Sequence, residues 1–247
     1  MSESPSTKFI ALVTIVAAPF ALGAFMLAWA PAQQFTNTNP ASDGYVAPRS
    51  ISELIEKTQT STVTVFCESV KGKFGQGTGW AIDLANGVEK EFPTSLITNH
   101  HVIEKCIGLE GTVTVALLFE EPVKAKIVKW DEENDLALLA TELDVPPLAL
   151  SEYEPWPGYW TMTLGSADGY EGSVSFGTVL NATTDELLLT NNISTGNSGG
   201  PVVDNEGNVV GVVTFLSKNE QYNVAMSLNA FCAKILPCEK DYYWKRD

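Results

Sequence analysis

The chain has 247 residues, 45% of them hydrophobic and 18% charged, a balance that supports a buried core and excludes a disordered tail, a collagen or a long coiled coil. Fifteen Lys and Arg against 30 Asp and Glu leave a formal charge of −15, which repels phosphate backbones and argues against nucleic acid as a partner. With two histidines, four cysteines without CxxC spacing and no DxDxDG-type calcium loop, neither a metal nor an organic cofactor is expected.

Phe9 to Ala30 is a run of 22 residues without a charge, preceded by Lys8. As a helix rising about 1.5 Å per residue it reaches about 33 Å, enough to cross a bilayer core. Its apolar length favours an uncleaved anchor, although Ala30-Pro31-Ala32 offers an A-x-A site after which cleavage would release a secreted protein. Residues 1–32 are therefore read as a membrane anchor or signal segment, and the polar, Pro- and Asn-containing stretch 33–49 as a linker. Lys8 on the N-terminal side places the residues after Ala30 outside the cytoplasm, as a single-pass membrane protein, where disulfides are allowed.

From Ser50 to Lys57 a capping box of Ser50 with Glu53 opens a short amphipathic helix carrying Ile51, Leu54 and Ile55. Six β-branched or alternating runs come next: Thr62–Cys67, Trp80–Asp83, Ser95–Thr98, Thr112–Leu118, Val123–Trp130 and Leu136–Ala140. After a Pro-rich break at 146–158 come six more: Trp160–Leu164, Gly172–Leu180, Glu186–Asn191, Gly200–Val203, Val209–Leu216 and Tyr222–Ser227. Asp204–Asn208 between two Val pairs is a hairpin turn, and Leu228–Leu236 is a closing helix with Phe231 and Ile235 on one face, stopped by Pro237. The fold class is all-β: two six-stranded barrels, about 60–143 and about 155–228, with short helices at either end and the hydrophobic segment in front. The domain spans 50–238, and 239–247 is a tail.

Chemistry gathers in three places. Gly196-Asn197-Ser198-Gly199-Gly200-Pro201 lies between strands, where glycines let successive N–H groups face one pocket beside a serine hydroxyl. A nucleophile and an oxyanion hole from one loop are what acyl transfer requires. His101 follows the strand Ser95–Thr98 and can be held as a general base, and Asp135 precedes the apolar run from Leu136 and can orient an imidazole. Of two adjacent side chains on an extended segment one faces away, so His100 is read as a packing or surface residue. Asp131, Glu132 and Glu133 read as a solvated acidic turn.

The order His, Asp, Ser with these motifs resembles the protease domain of the HtrA/Deg-type trypsin-like serine peptidases, within the chymotrypsin fold. Further matches are the leading helix at Ile51–Lys57, Gly77-Thr78-Gly79-Trp80-Ala81-Ile82, Thr98–Ile103, Asn134–Leu139, Leu164-Gly165 with Gly172–Val179, and Asn223–Asn229. The resemblance implies a triad of His101, Asp135 and Ser198, an oxyanion hole from the N–H groups of Gly196 and Ser198 with Asn197 between, and a supporting hydroxyl at Thr214. It places Asn192 near the base of the primary specificity pocket; being uncharged, Asn192 disfavours Lys or Arg there and leaves a small or medium apolar residue. Trp156, Trp160 and Tyr170 either line a peptide groove or belong to the core. Cys67 with Cys106 and Cys232 with Cys238 are the favoured of three formal pairings. Only nine residues follow Cys238, which leaves no room for the PDZ domain common in HtrA proteins, and no zymogen-type activation junction is present. The expected activity is hydrolysis of peptide bonds in exported or unfolded proteins, without cofactor. The alternatives are a latent pseudoprotease that binds peptides and an esterase-like hydrolase using the same triad.

Overall fold

The protein is described from a computed structural model that covers residues 48, 50–72, 74–84, 92–108, 111–153, 155–216, 222–236 and 238, with 215 and 216 as backbone alone. The expected anchor, most of the linker, Pro237 and the tail lie outside the described residues. Among the described residues no helix is long and apolar enough to cross a membrane.

Helix α1 (Ile51–Thr60) buries Leu54 and Thr58, and leaves Ile51 exposed. The capping box does not form. Ser50 occupies the N-cap with φ −127° and ψ 74°, its side chain makes no cap hydrogen bond, and the helix instead begins with the Leu54 amide donating to the Ser50 carbonyl. Packing of Leu54, rather than the cap, holds this helix down.

Six antiparallel strands close the first barrel: β1 (Thr62–Ser69), β2 (Phe74–Ile82), β3 (Thr94–Thr98), β4 (Gly111–Ala116), β5 (Val123–Asp131) and β6 (Leu136–Thr141), in the order β1-β2-β3-β6-β5-β4. The second repeats the plan with β7 (Trp160–Ala167), β8 (Tyr170–Ala182), β9 (Glu186–Leu189), β10 (Pro201–Val203), β11 (Val209–Leu216) and β12 (Asn223–Ser227), in the order β10-β11-β12-β9-β8-β7. Closure removes sheet edges and buries one face of every strand.

The largest departure from the expected strands is β2, which starts six residues before Trp80. Gly75 and Gly77 pair there with Cys67 and Val65 of β1. A Cβ at Gly77 would stand 2.5 Å from Val102 Cγ2 and 2.9 Å from the Ser198 carbonyl oxygen, so this strand is bare where the histidine segment and the serine loop approach it.

The C-terminal helix, α3 (Leu228–Lys234), follows a helix of one turn introduced below. Ser227 caps it by accepting from the Ala230 amide at 3.3 Å. Phe231 is fully buried, 6.3 Å from Trp80 of β2 between ring centroids, and shares one core with Leu136 and Leu138 of barrel one and Met162, Val212 and Met226 of barrel two. The helix therefore packs on the core that the two barrels share. Phe231→Ala is expected to lower unfolding free energy by about 3–5 kcal/mol in denaturant titration, with the specific activity of the folded fraction unchanged. Disulfides join Cys67 to Cys106 and Cys232 to Cys238, with Cα separations of 5.9 and 5.2 Å.

Candidate active site

His101 lies in α2 (His100–Ile103), one helical turn that starts immediately after β3 and runs into a 3₁₀ turn ending at Cys106. The two histidines are thus not on an extended segment. About 100° of helical rotation separates them, so that His100 is buried and the His101 side chain is 45% exposed toward the cleft. The Cys67–Cys106 bridge ties the end of this segment to β1.

Asp135 closes the turn after β5 with φ +50°, a left-handed conformation that costs an ordinary residue free energy and is kept by its surroundings. Its carbonyl accepts from Asn99 Nδ2 at 2.7 Å. Oδ1 accepts the His101 main-chain N–H at 2.9 Å, while Oδ2 takes His101 Nδ1 at 2.7 Å and Thr214 Oγ1 at 2.5 Å. An ionised carboxylate can only accept, so Nδ1 carries the proton and Nε2 is left as the basic nitrogen. Burial pushes the Asp135 carboxyl up; the His101 imidazole and amide and the Thr214 hydroxyl outweigh it and hold the group below the usual carboxylate range. Asp131 is a turn builder rather than a merely solvated acid. Its Oδ1 accepts from the Asn134 side chain and amide, both at 2.8 Å, and these bonds lower its pKa.

Thr214 is displaced from the regular ladder by the β11 bulge between Val213 and Phe215. Its carbonyl accepts the Ser198 hydroxyl at 3.2 Å while its own hydroxyl reaches Asp135. Ser198, Asp135 and His101 are thereby brought together through Thr214.

The serine loop is pinned almost atom by atom. The Asn197, Gly199 and Gly200 amides donate to the carbonyls of Ser194, Val213 and Asn197 at 3.1, 2.7 and 2.9 Å. The Thr195 carbonyl accepts from the Asp168 amide at 2.6 Å, and the Ser198 carbonyl from the Thr78 amide at 2.8 Å. Within residues 196–200 two amides are left over: those of Gly196 and Ser198 meet no acceptor among the described residues. Gly196 has φ +98°, and a Cβ on it would overlap the Ser166 carbonyl.

Asn192 is exposed, its amide donating to Ser175 Oγ at 2.8 Å, and no hydrogen bond joins it to the His101 group. Trp160 stacks on Phe176 with centroids 5.6 Å apart, and Tyr170 is exposed. Three residues to which the sequence motifs assign no role support the site. Thr78 and Asp168 hold the serine loop, and fully buried Asn191 donates to the carbonyls of Thr161 and Ser175 just ahead of Asn192. Among the described residues no cluster of three or more His, Cys, Asp or Glu could hold a metal.

Residues 77–212, more than half of the chain, match the trypsin-like peptidase domain family. The chain belongs to that family. Among the curated relatives of this peptidase domain are proteases of DegP and Do type. A probable periplasmic serine endoprotease, DegP-like, of Marinomonas sp. (strain MWYL1) is 33% identical over 129 residues, 47% of this chain and 26% of the relative. Protease Do-like 5, chloroplastic, of Arabidopsis thaliana is 29% identical over 186 residues, 66% of this chain and 55% of the relative. The first three curated matches are covered over 28%, 22% and 26% of their own length, so the peptidase domain corresponds to about a quarter of each. Among solved structures, the active form of the Rv3671c protease of M. tuberculosis superposes with a TM-score of 0.65 over 77% of this chain and 87% of that one, at 21% identity. At that identity the likeness is one of fold, the chymotrypsin-like double barrel.

Proposed function

We propose that the protein is a serine endopeptidase in which Ser198 is the nucleophile, His101 the general base and Asp135 the residue that orients it. The observation that carries this reading is the pair of unengaged amides, Gly196 and the nucleophile's own Ser198, in the segment 196–200, where the amides of Asn197, Gly199 and Gly200 are bonded. Such a pair is a preorganised seat for an oxyanion, worth about 3 kcal/mol per donor in comparable sites. Ser198 Oγ attacks the scissile carbonyl carbon as its proton passes to His101 Nε2, and the carbonyl oxygen takes up the negative charge between the two amides. Collapse of that intermediate breaks the C–N bond, and the imidazolium returns the proton to the leaving amine. Water, deprotonated by the same imidazole, then attacks the acyl carbon, the ester bond to Ser198 Oγ breaks, and the imidazolium returns the proton to Oγ. Asp135 stabilises the imidazolium in both halves.

The substrates are exported or unfolded proteins, cut after a small or medium apolar residue. No acidic group stands at Asn192 to pair with Lys or Arg. The catalytic domain works outside the cytoplasm, tethered through residues 9–30 or released near Ala32. Its two disulfides suit an oxidising compartment, as do relatives named as periplasmic.

The test is incubation of the full-length chain with casein and with a fluorophosphonate probe, beside Ser198→Ala. Wild type is expected to label and to cut, the variant to do neither. One contact favours a second reading, a latent peptide-binding module: the Ser198 hydroxyl donates to Thr214 rather than to the imidazole. A wild-type chain that binds peptide without labelling would decide for that reading, whereas labelling with ester but not amide cleavage would decide for an esterase.

A further inference from the structure

Thr78 lies in β2 of barrel one, fully buried, between two glycines and 118 residues away in sequence from the loop it touches. A buried hydroxyl must find partners, and this one uses both capacities across the barrel boundary. Oγ1 donates to the Gly196 carbonyl at 2.6 Å and accepts from the Ser166 amide of β7 at 3.0 Å. The main chain of Thr78 is engaged as well, its N–H on the Ser198 carbonyl at 2.8 Å and its carbonyl under the Thr98 hydroxyl at 2.7 Å. One residue of barrel one therefore bonds to the carbonyls of both residues whose amides are free.

The Gly196 carbonyl belongs to the peptide plane between Gly196 and Asn197, whose N–H is held by Ser194 at 3.1 Å. Holding that plane at both ends sets ψ of Gly196 and φ of Asn197. The Gly196 N–H lies in the plane of the Thr195 carbonyl, held by the Asp168 amide at 2.6 Å, and the Ser198 N–H in the plane of the Asn197 carbonyl, held by the Gly200 amide at 2.9 Å; the central plane joins the two and sets how they face one another. Glycine at φ +98° has no side chain to restrict its torsions, so the tilt of this central plane, and with it the angle between the two amides, needs a bond to its carbonyl end. Thr78 supplies that bond.

We infer that the Thr78 hydroxyl is a positioning group for the oxyanion seat, holding the Gly196 and Ser198 amides in the orientation that receives the developing charge. The inference rests on the reading of Ser198 as nucleophile. Thr78 touches neither substrate nor reacting atoms, so its effect falls on transition-state stabilisation and not on substrate binding. A residue that merely packed between the barrels would need its shape and not its hydroxyl.

Thr78→Val keeps the shape and removes the hydroxyl, Thr78→Ser keeps the hydroxyl and removes a methyl, and Thr78→Ala removes the hydroxyl without setting a methyl against the Ser166 amide. Steady-state kinetics of the full-length chain on a cleaved peptide are compared with the affinity of a peptide boronate, which mimics the tetrahedral intermediate. In Thr78→Val, or in Thr78→Ala where Val does not fold, kcat is expected to fall about 10- to 100-fold, boronate binding to weaken by a similar factor, and KM to stay within about threefold. Thr78→Ser is expected to stay within about threefold of wild type in all three. Wild-type kcat in Thr78→Val or Thr78→Ala, a loss confined to KM, or equal losses in Thr78→Ser overturn the inference while the nucleophile assignment stands. A wild-type chain that neither labels with fluorophosphonate nor cleaves overturns that assignment and the inference with it.

Discussion

Asp135→Asn is expected to lower kcat about 10⁴-fold while leaving the fold intact, the scale found when the equivalent carboxylate is replaced in other enzymes with this triad. The direction follows from which atom faces which partner. Oδ1 accepts the His101 main-chain N–H at 2.9 Å, and that group can only donate, so an asparagine must place its carbonyl oxygen there. Its amide nitrogen then occupies the Oδ2 position, 2.7 Å from Nδ1, and donates to it. Nδ1 becomes an acceptor, the proton moves to Nε2, and the nitrogen that takes the Ser198 proton in the proposed reaction is already protonated. The Thr214 hydroxyl can rotate to accept from the new amide, which is why the structure survives. Peptide hydrolysis measures the loss. Circular dichroism with a fluorophosphonate time course separates it from unfolding.

The same carboxylate gives the folded state an acid limit. Its pKa is held below the ordinary carboxylate value, about 3.9, so the unfolded chain binds more protons at this site than the folded one in the window between the two values. Its contribution to stability is complete above about pH 4 and is lost as pH falls through the lowered folded value. Asp131 adds a smaller effect of the same sign, muted by solvent. In Asp135→Asn that contribution is absent at every pH, so the stability curves of wild type and variant are expected to approach one another on acidification in urea titrations between pH 6 and pH 2. Curves that stay parallel would show that ionisation of this carboxylate is not favoured by folding.

How far the sequence reveals this site depends on where each signal lives. The strands around it are legible because β-branched residues and turn formers alternate locally, and the His101, Asp135 and Ser198 motifs because each sits in a short characteristic run. The first half of β2 is not, since Gly75 and Gly77 carry no side chain to mark a buried face and their smallness answers to Val102 and Ser198 far away in the chain. Thr78 lies within the Gly77–Ile82 run, but its role is hidden for the same reason: a hydroxyl between two glycines has no visible partner until barrel two is set against it. Ser50 errs in the opposite sense. The capping pattern is present, but the chain enters α1 at an angle that turns the side chain away. The serine loop shows the division most clearly, because its glycines announce special torsions while their signs and partners come only from the fold.

Gly199→Ala is the substitution expected to damage both stability and catalysis. Gly199 has φ +86°, where an L side chain is strained by itself at about 1–3 kcal/mol, and the added Cβ would overlap the Thr78 carbonyl and the Thr98 hydroxyl. The loop cannot retreat freely, because the Gly199 amide is bound to the Val213 carbonyl at 2.7 Å and the Ser198 carbonyl to the Thr78 amide at 2.8 Å. Relief must therefore break one of these bonds and move Ser198 with it, and kcat is expected to fall at least about 100-fold, as when an oxyanion donor is lost. Gly158→Ala separates the two components. Gly158 has φ +92°, but an added Cβ there would meet nothing within 4 Å, so it carries the torsional strain without the collision. Its variant is expected to lose about 1 kcal/mol of stability and no activity per folded molecule. Should Gly199→Ala behave like Gly158→Ala in denaturant and in kcat, the serine loop is looser than its bonds require, and a rigid seat for the oxyanion could not be what Thr78 and Val213 maintain.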